Sequence, residues 1–332
     1  MGWVRQLKPD GFLIAIVVAA VVASFLPATG SAQTALSWAI TVAIFALFFL
    51  YGARLKPSEA LVGLTHWRLH LTILAFTYLV FPVVGLALGV LSPRLLSAEL
   101  YTGLLYLMTV PATVQSAVAF TSIARGNVAG AIVSSSTSNL LGVVLTPTLV
   151  MVLLATSGRV QVGASAIVDI ALQLLLPFCL GQLSRRWTAD VVATYKAPLR
   201  LVDQASIVMV VYLAFSRGVE EQMWSRTTPF QLVVLVVVCL LVVLLMLTLT
   251  WITARRLGFN REDAIAIQFC GTKKSMATGL PMAQVLFAGM PIGLLVLPLM
   301  VFHQIQLMAC SVLAGRYARQ GEAAAQPSSG LP

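Results

Sequence analysis

Long apolar runs alternate with short polar connections along the whole chain. Runs dominated by Ala, Val, Ile, Leu and Phe cover residues 11–28, 35–52, 70–92, 99–123, 127–156, 164–184, 199–216, 228–253, 264–289 and 292–314. Each is close to the roughly 20 residues a helix needs to cross about 30 Å of hydrocarbon, and a helix meets its own backbone hydrogen bonds there. The pattern predicts an all-α polytopic membrane protein of ten transmembrane helices, with no room for a large soluble domain. The last stretch, 320–332, is rich in Ala, Ser, Gly and Pro and has no apolar face. It predicts a disordered tail, taken as 317–332.

Composition agrees: 59% of the 332 residues are hydrophobic and 10% charged, against about 25% charged in an ordinary soluble domain. In a soluble chain a net charge of +10 would suggest nucleic acid. Here the position of the charges matters more. Ten spans put Arg5, Lys8, Arg54, Lys56, Arg68, Arg125, Arg185, Arg186, Lys196, Arg200, Arg255, Arg256, Arg261, Arg316 and Arg319 on one side, and only Arg94, Arg159, Arg217 and Arg226 on the other. The bias predicts cytoplasmic N- and C-termini and a lipid bilayer, not nucleic acid, as the partner. It also supports the count, since one missed helix would flatten it. A competing reading takes Arg5, Lys8, the apolar stretch Gly11 to Leu26 and the small residues Gly30, Ser31 and Ala32 as a cleavable signal peptide. That would leave nine spans and spoil the symmetry argued below.

Trp3, Trp67, Trp187, Trp224 and Trp251 fall near span ends, as interfacial anchors do. Cys179, Cys239, Cys270 and Cys310 lie in separate spans without CxxC spacing, which predicts packing thiols, not a disulfide framework or zinc site. His66 and His70 have a helical i, i+4 spacing that suits a metal, but beside Trp67 and Arg68 an interfacial role is preferred. No metal site and no cofactor is predicted.

Two polar islands interrupt the apolar pattern, and polar groups inside a membrane are expensive. The first, Val110 to Pro147, has Pro111 breaking the fourth helix, then Thr113, Gln115, Ser116, Thr121 and Ser122, and an unbroken polar run Ser134-Ser135-Ser136-Thr137-Ser138-Asn139 in the fifth. The second, Gln268 to Pro281, reads QFCGTKKSMATGLP. Gly271 and Pro281 are expected to open the ninth helix there. Lysine in mid-span costs roughly 2.5–3.5 kcal/mol on insertion scales, so Lys273 and Lys274 must face water, a ligand or an anionic partner. The serines have an ordinary reading as interhelical packing residues; the two lysines resist it.

The islands fall five helices apart. With five helices per half the second half enters the membrane from the opposite face, so 1–156 and 157–316 are predicted to be inverted five-helix repeats with core and panel domains and broken helices 4 and 9. Paired interruptions at corresponding places point to a secondary transporter's midplane site.

Over nearly its whole length the chain resembles the bile acid:sodium symporter superfamily. The resemblance is carried by Pro111 and the polar stretch into Ala124-Arg125-Gly126-Asn127-Val128-Ala129, by Leu145-Thr146-Pro147, and by Leu176, Pro177 and Leu180 in LLPFCLGQL. Arg261-Glu262-Asp263 leading into AIQFCGTKKSMATGLPMA resembles more closely an outlying SBF-like branch, which includes bacterial proteins and an animal member implicated in calcium handling. The resemblance implies a panel of helices 1, 2, 6 and 7, a core of 3, 4, 5, 8, 9 and 10, and unwound helices 4 and 9 crossing near the midplane. Members of the superfamily bind two sodium ions there and move an organic anion, using a helix-9 glutamate and a nearby glutamine.

Residue by residue, this chain departs from that pattern. Phe269 stands at the glutamate position with Gln268 before it. Lys273 and Lys274 take the glutamine and asparagine positions, followed by Ser275. Ser116 and Ala117 replace a serine-asparagine pair, and Thr77 stands in place of a glutamine five residues before Pro82. Ser135 and its neighbours are expected to supply the helix-5 hydroxyls. The expected substrate and ion site is therefore Thr77, Gln115, Ser116, Ser135, Ser138, Asn139, Gln268, Thr272, Lys273, Lys274 and Ser275.

Sodium as a coupling ion is left open, because a site that lacks its carboxylate and gains ammonium groups holds sodium poorly. One of the lysines is expected to occupy part of the cation space and to attract an anionic substrate. The expected function is a secondary active transporter of a small organic anion in a bacterial inner membrane. The alternative is a non-transporting regulator of calcium or envelope homeostasis. An enzyme is not expected, since Asp169, Asp203, Glu262 and Asp263 lie near span ends, where helix capping accounts for them. No sequence feature addresses the oligomeric state.

Overall fold

The structure, a computed structural model, describes residues 11–54, 66–92, 94–156, 171–288, 290 and 292–325. Among these residues there is no strand. The helices are α1 (Gly11–Phe25), α2 (Gly30–Arg54), α3 (Trp67–Leu91), α4 (Ala98–Thr109), α5 (Val114–Ile123), α6 (Val128–Thr156), α7 (Leu176–Thr194), α8 (Lys196–Glu220), the single turn α9 (Met223–Arg226), α10 (Pro229–Arg256), α11 (Arg261–Thr272), α12 (Met276–Leu286) and α13 (Ile292–Ala325).

Six of these, α2, α3, α6, α8, α10 and α13, are long and apolar enough to cross a membrane, and α4 with α5 makes a seventh if the pair, bent by 63°, is one span. The chain is a polytopic membrane protein. The remaining predicted spans are represented by shorter pieces. α1 has 15 residues, α11 and α12 are separated by a break, and 164–170 lie outside the described residues. The last helix runs on to Ala325, so 317–325, expected in the tail, is helical. Glu322 and Ala323 to Ala325 are strong helix formers and extend the preceding turns. Residues 326–332 lie outside the described residues, as do Trp3, Arg5, Lys8, Lys56, Arg159 and Asp169.

The chain divides into two compact units. The first contains α1, α2, α7, α8 and α9, with 280–296. Within it α2 and α7 cross at backbone contact, since a Cβ on Gly52 would strike the carbonyl of Phe178 and one on Gly181 that of Phe49. Polar groups close the same unit at its helix ends: Arg54 pairs with Asp203 at 2.6 Å, and Arg217 donates to Ser37 Oγ at 2.7 Å. The second unit contains α3 to α6, α10, α11, the start of α12 and α13 from Leu297. Both predicted polar islands fall mainly in this second unit.

Three local breaks shape the second unit. In α3, Phe76–Val80 forms a widened π turn, a form common at functional sites. Its next turn holds Pro82, which has no N–H to give. Between α4 and α5 the chain leaves the helix at Val110 (φ −65°, ψ 142°), beside Pro111. Between α11 and α12 it leaves at Lys273 (φ −83°, ψ 144°). This second break falls at Lys273 to Ser275, not at Gly271 or Pro281, where sequence placed it. Gly271 lies inside α11, where a Cβ would meet Thr250 Cγ2 at 3.2 Å, so close packing explains the glycine. Pro281 lies inside α12.

The ARGNVA element has a structural role. Arg125 takes a left-handed conformation (φ 57°) that ends α5, and a Cβ on Gly126 would fall 2.5 Å from Ile265 Cγ2. Asn127 Oδ1 caps α6 by accepting from Gly130 N at 2.8 Å, while its Nδ2 donates to Asp263 Oδ1 at 2.7 Å. Asp263 itself sits in the first turn of α11, whose N-cap is Asn260, where an acid suits the helix dipole.

Candidate functional site

The two helix breaks of the second unit meet. Ser275 N donates to Pro111 O at 2.8 Å, and Thr113 Oγ1 donates to Lys274 O at 2.8 Å. Each break frees backbone groups that have no water to satisfy them, and their partners can be named one by one. Leu107 O, deprived of a donor at Pro111, accepts from Val110 N at 3.4 Å. Thr109 O accepts from Thr146 Oγ1 at 2.8 Å, and Ala112 O from Asn139 Nδ2 at 2.6 Å. Ala112 N donates to Ser138 Oγ at 3.1 Å. The two remaining carbonyls, Met108 O and Val110 O, accept from Lys274 Nζ at 2.8 and 2.9 Å.

The third proton of the same ammonium goes to Thr77 O at 2.9 Å. The π turn explains why that carbonyl is free. In a regular helix Phe81 N–H would bond it, but Phe81 N–H bonds Phe76 O, and Pro82 has no N–H for the wider i−5 bond. Lys274 Nζ also lies 4.1 Å from the Phe81 ring centroid, a cation–π distance. An ammonium has three donors and no acceptor, so Lys274 is fully satisfied without a carboxylate. Its backbone is held too: Gln306 on α13 accepts from Lys274 N and donates to Lys274 O, both at 2.9 Å. Gln306 Nε2 also lies 2.8 Å from His303 Nδ1.

Lys273 is the opposite case. Its side chain is 0% exposed, as is that of Lys274, yet among the described residues its Nζ has no hydrogen-bond partner. It lies 4.3 Å from the Phe120 ring centroid, with the Cys310 and Cys270 thiols as its electrostatic neighbours and the Cys310 sulfur, a weak acceptor, as the nearest thing to a hydrogen-bond partner. Two hydroxyls of α5, Ser116 Oγ and Thr121 Oγ1, are likewise buried and unpartnered. Ser116 is one helical turn before Phe120.

The other predicted site residues divide between this crossing and its surroundings. Ser138 and Asn139 are in it, and Asn139 Oδ1 accepts from Thr278 Oγ1 at 2.8 Å. Ser275 Oγ caps α12 by accepting from Thr278 N at 3.2 Å. Ser135 Oγ lies 3.5 Å from Cys270 Sγ. Thr272 Oγ1 is 3.4 Å from Thr250 Oγ1. Thr77 enters through its carbonyl, its hydroxyl being bound to Ile73 O. Gln268 links α10 and α13 by donating to Leu247 O and accepting from Tyr317 OH, both at 2.9 Å. Gln115 is exposed and stands outside the cluster. His70, expected at the interface, is buried and 2.6 Å from Ser134 Oγ, while His66 is exposed. Among the described residues no three His, Cys, Asp or Glu side chains gather to hold a metal.

Sequence reasoning missed His303, Gln306, Thr278, Tyr78 and Tyr106. Tyr78 OH donates to Ser138 O in the continuous helix α6 at 2.5 Å, and Tyr106 OH to Gly279 O, so Tyr106 ties broken-helix backbone in place. The legible signal was His303-Gln304-Ile305-Gln306, three polar residues within one turn of a mostly apolar span.

A model of the SBF-like CPA transporter family matches residues 10–319. The chain belongs to that family. As a member of the SBF-like CPA transporter family, within the bile acid:sodium symporter superfamily, it is a membrane transporter and not an enzyme. It is 45% identical over 317 residues to the putative symporter YfeH of Escherichia coli, covering 94% of each chain. It is 32% identical over 320 residues to sodium/bile acid cotransporter 7-B of Xenopus laevis, covering 94% of this chain and 93% of that one. An uncharacterized Pseudomonas aeruginosa protein is 49% identical over 98% of both chains.

Proposed function

We propose that this chain is a secondary transporter that carries a small organic anion by alternating access, without a coupling sodium ion, and that Lys273 is the group that attracts the anion. The single observation that carries this reading is the Lys273 ammonium, fully buried at the meeting of two interrupted helices and facing, among the described residues, an aromatic ring and the Cys310 and Cys270 thiols but no oxygen acceptor. A buried charge without a partner costs several kcal/mol, and a site that leaves one waiting is poised for an opposite charge. The unpartnered Ser116 hydroxyl offers a donor of the kind an oxyanion takes.

The wider architecture in this reading is ten helices in two inverted five-helix repeats, 1–156 and 157–316, with both termini cytoplasmic in a bacterial inner membrane. Support comes from the helices that overlap each predicted span, the interruptions five spans apart, the distribution of basic residues, and the division into units. That division groups α1, α2, α7 and α8 apart from most of the rest, the grouping expected of panel and core.

The test is thermal unfolding of purified protein against a panel of carboxylates and sulfonates, bile acids among them, followed by uptake of any stabilising compound into proteoliposomes. The wild-type chain is expected to be stabilised by at least one anion and to take it up equally with and without a sodium gradient, and Lys273→Met to lose both responses. Uptake that requires sodium would overturn the coupling part, and anion stabilisation that survives in Lys273→Met the assignment of Lys273.

A further inference from the structure

Lys274 presents chemistry that the transport reading does not use. Its ammonium has the surroundings of a bound ion: three backbone carbonyls at 2.8–2.9 Å, an aromatic face at 4.1 Å, and no exposure. None of the three oxygens is an ordinary helix acceptor, because the π turn with Pro82 and the break at Pro111 have removed their N–H partners. Were the side chain absent, two helix interruptions would leave three carbonyls converging on one buried point with nothing to bind.

We propose that Thr77 O, Met108 O and Val110 O form a monovalent-cation site that the chain fills permanently with its own Lys274 ammonium, and that shortening Lys274 opens the site to a free cation of ammonium type. Carbonyl dipoles arranged in this way replace an ion's hydration shell. The absence of a carboxylate selects a single positive charge, since divalent ions seek carboxylate oxygens. The spacing of 2.8–2.9 Å suits N–H···O bonds. It therefore favours an alkylammonium, ammonium or the similarly sized potassium ion over the smaller sodium. Water is a poorer occupant because it has only two protons for three acceptors. The inference stands whether or not the chain transports, because it concerns how the breaks are held and not what passes them.

The test uses Lys274→Ala, which removes three methylenes and the ammonium, so that propylammonium matches the missing piece. Thermal unfolding of the full chain is followed in chloride salts of choline, sodium, potassium, ammonium and propylammonium at equal ionic strength. Wild type is expected to unfold at the same temperature in all of them. Lys274→Ala is expected to unfold lower than wild type in choline and to regain several degrees, in a saturable manner, with propylammonium, less with ammonium or potassium, and least with sodium. Lys274→Met keeps the stem and blocks the site, and is expected to unfold low in every salt alike. A Lys274→Ala chain whose unfolding temperature ignores the cation, or matches wild type in choline, overturns the proposal. So does one that folds in none of the salts, or a wild type that responds as the variant does.

Discussion

The two helix interruptions of the second unit solve the same problem with opposite materials. The break at Val110 to Thr113 exposes backbone acceptors where the chain leaves the helix at Val110, beside Pro111, which cannot donate. The break at Lys273 to Ser275 brings donors: an ammonium, Ser275 N and the Lys274 N–H held by Gln306. Neither is viable alone in a membrane, where every loose backbone group costs several kcal/mol. Joined, and with side chains of α6 and α13 at the remaining groups, they are satisfied, and one lysine is used up doing so. The lesson is that adjacent residues of one type need not share a task. Lys274 meets three carbonyls, whereas Lys273 meets an aromatic ring and two thiols.

The sharpest way to break this contrast is to remove each lysine in turn. Lys274→Ala strips three buried carbonyls of their donor and is expected to cost on the order of 3–5 kcal/mol, read as a fall in denaturant or thermal midpoint. Gln306→Leu leaves the N–H of Lys274 unpaired and removes one of the donors to its C=O, which keeps Thr113 Oγ1, for an expected loss of about 1–3 kcal/mol in the same assay. Gly126→Ala tests the packing beside the crossing: its Cβ would lie 2.5 Å from the Cγ2 methyl of Ile265, and overpacking there should cost about 1–3 kcal/mol. Lys273→Met should change stability least, by less than about 0.5 kcal/mol or with a gain, because removing an unpartnered charge leaves no acceptor orphaned. Loss of stability in Lys273→Met equal to that in Lys274→Ala would erase the distinction between the two lysines.

Much of this was visible before the structure. Pro111, the lysine pair, the serine run ending in Asn139, and the helix positions all leave a mark on the apolar pattern, because each is a polar or helix-breaking side chain where lipid demands otherwise. The cation cage was not visible, for a physical reason. Its acceptors are main-chain oxygens of Thr77, Met108 and Val110, which no side chain announces. They come to Lys274 from positions 164–197 residues away in sequence. The π turn was not announced either, and what freed the Thr77 carbonyl was the shift of the Phe81 N–H to Phe76. Gly271 and Pro281 misled for a related reason. Residues that permit a break also permit close packing or sit within a helix supported by its neighbours. Gln115 is polar and one residue from Ser116, but the helical turn points it out of the cluster.

The central claim is that the chain supplies its own cation where relatives in the wider superfamily are expected to take one from solution. Equilibrium binding of radioactive sodium to the purified wild-type protein tests it most directly. The account predicts no saturable sodium binding across the physiological concentration range, with or without an anion present. Saturable binding of one or two sodium ions per chain would contradict it.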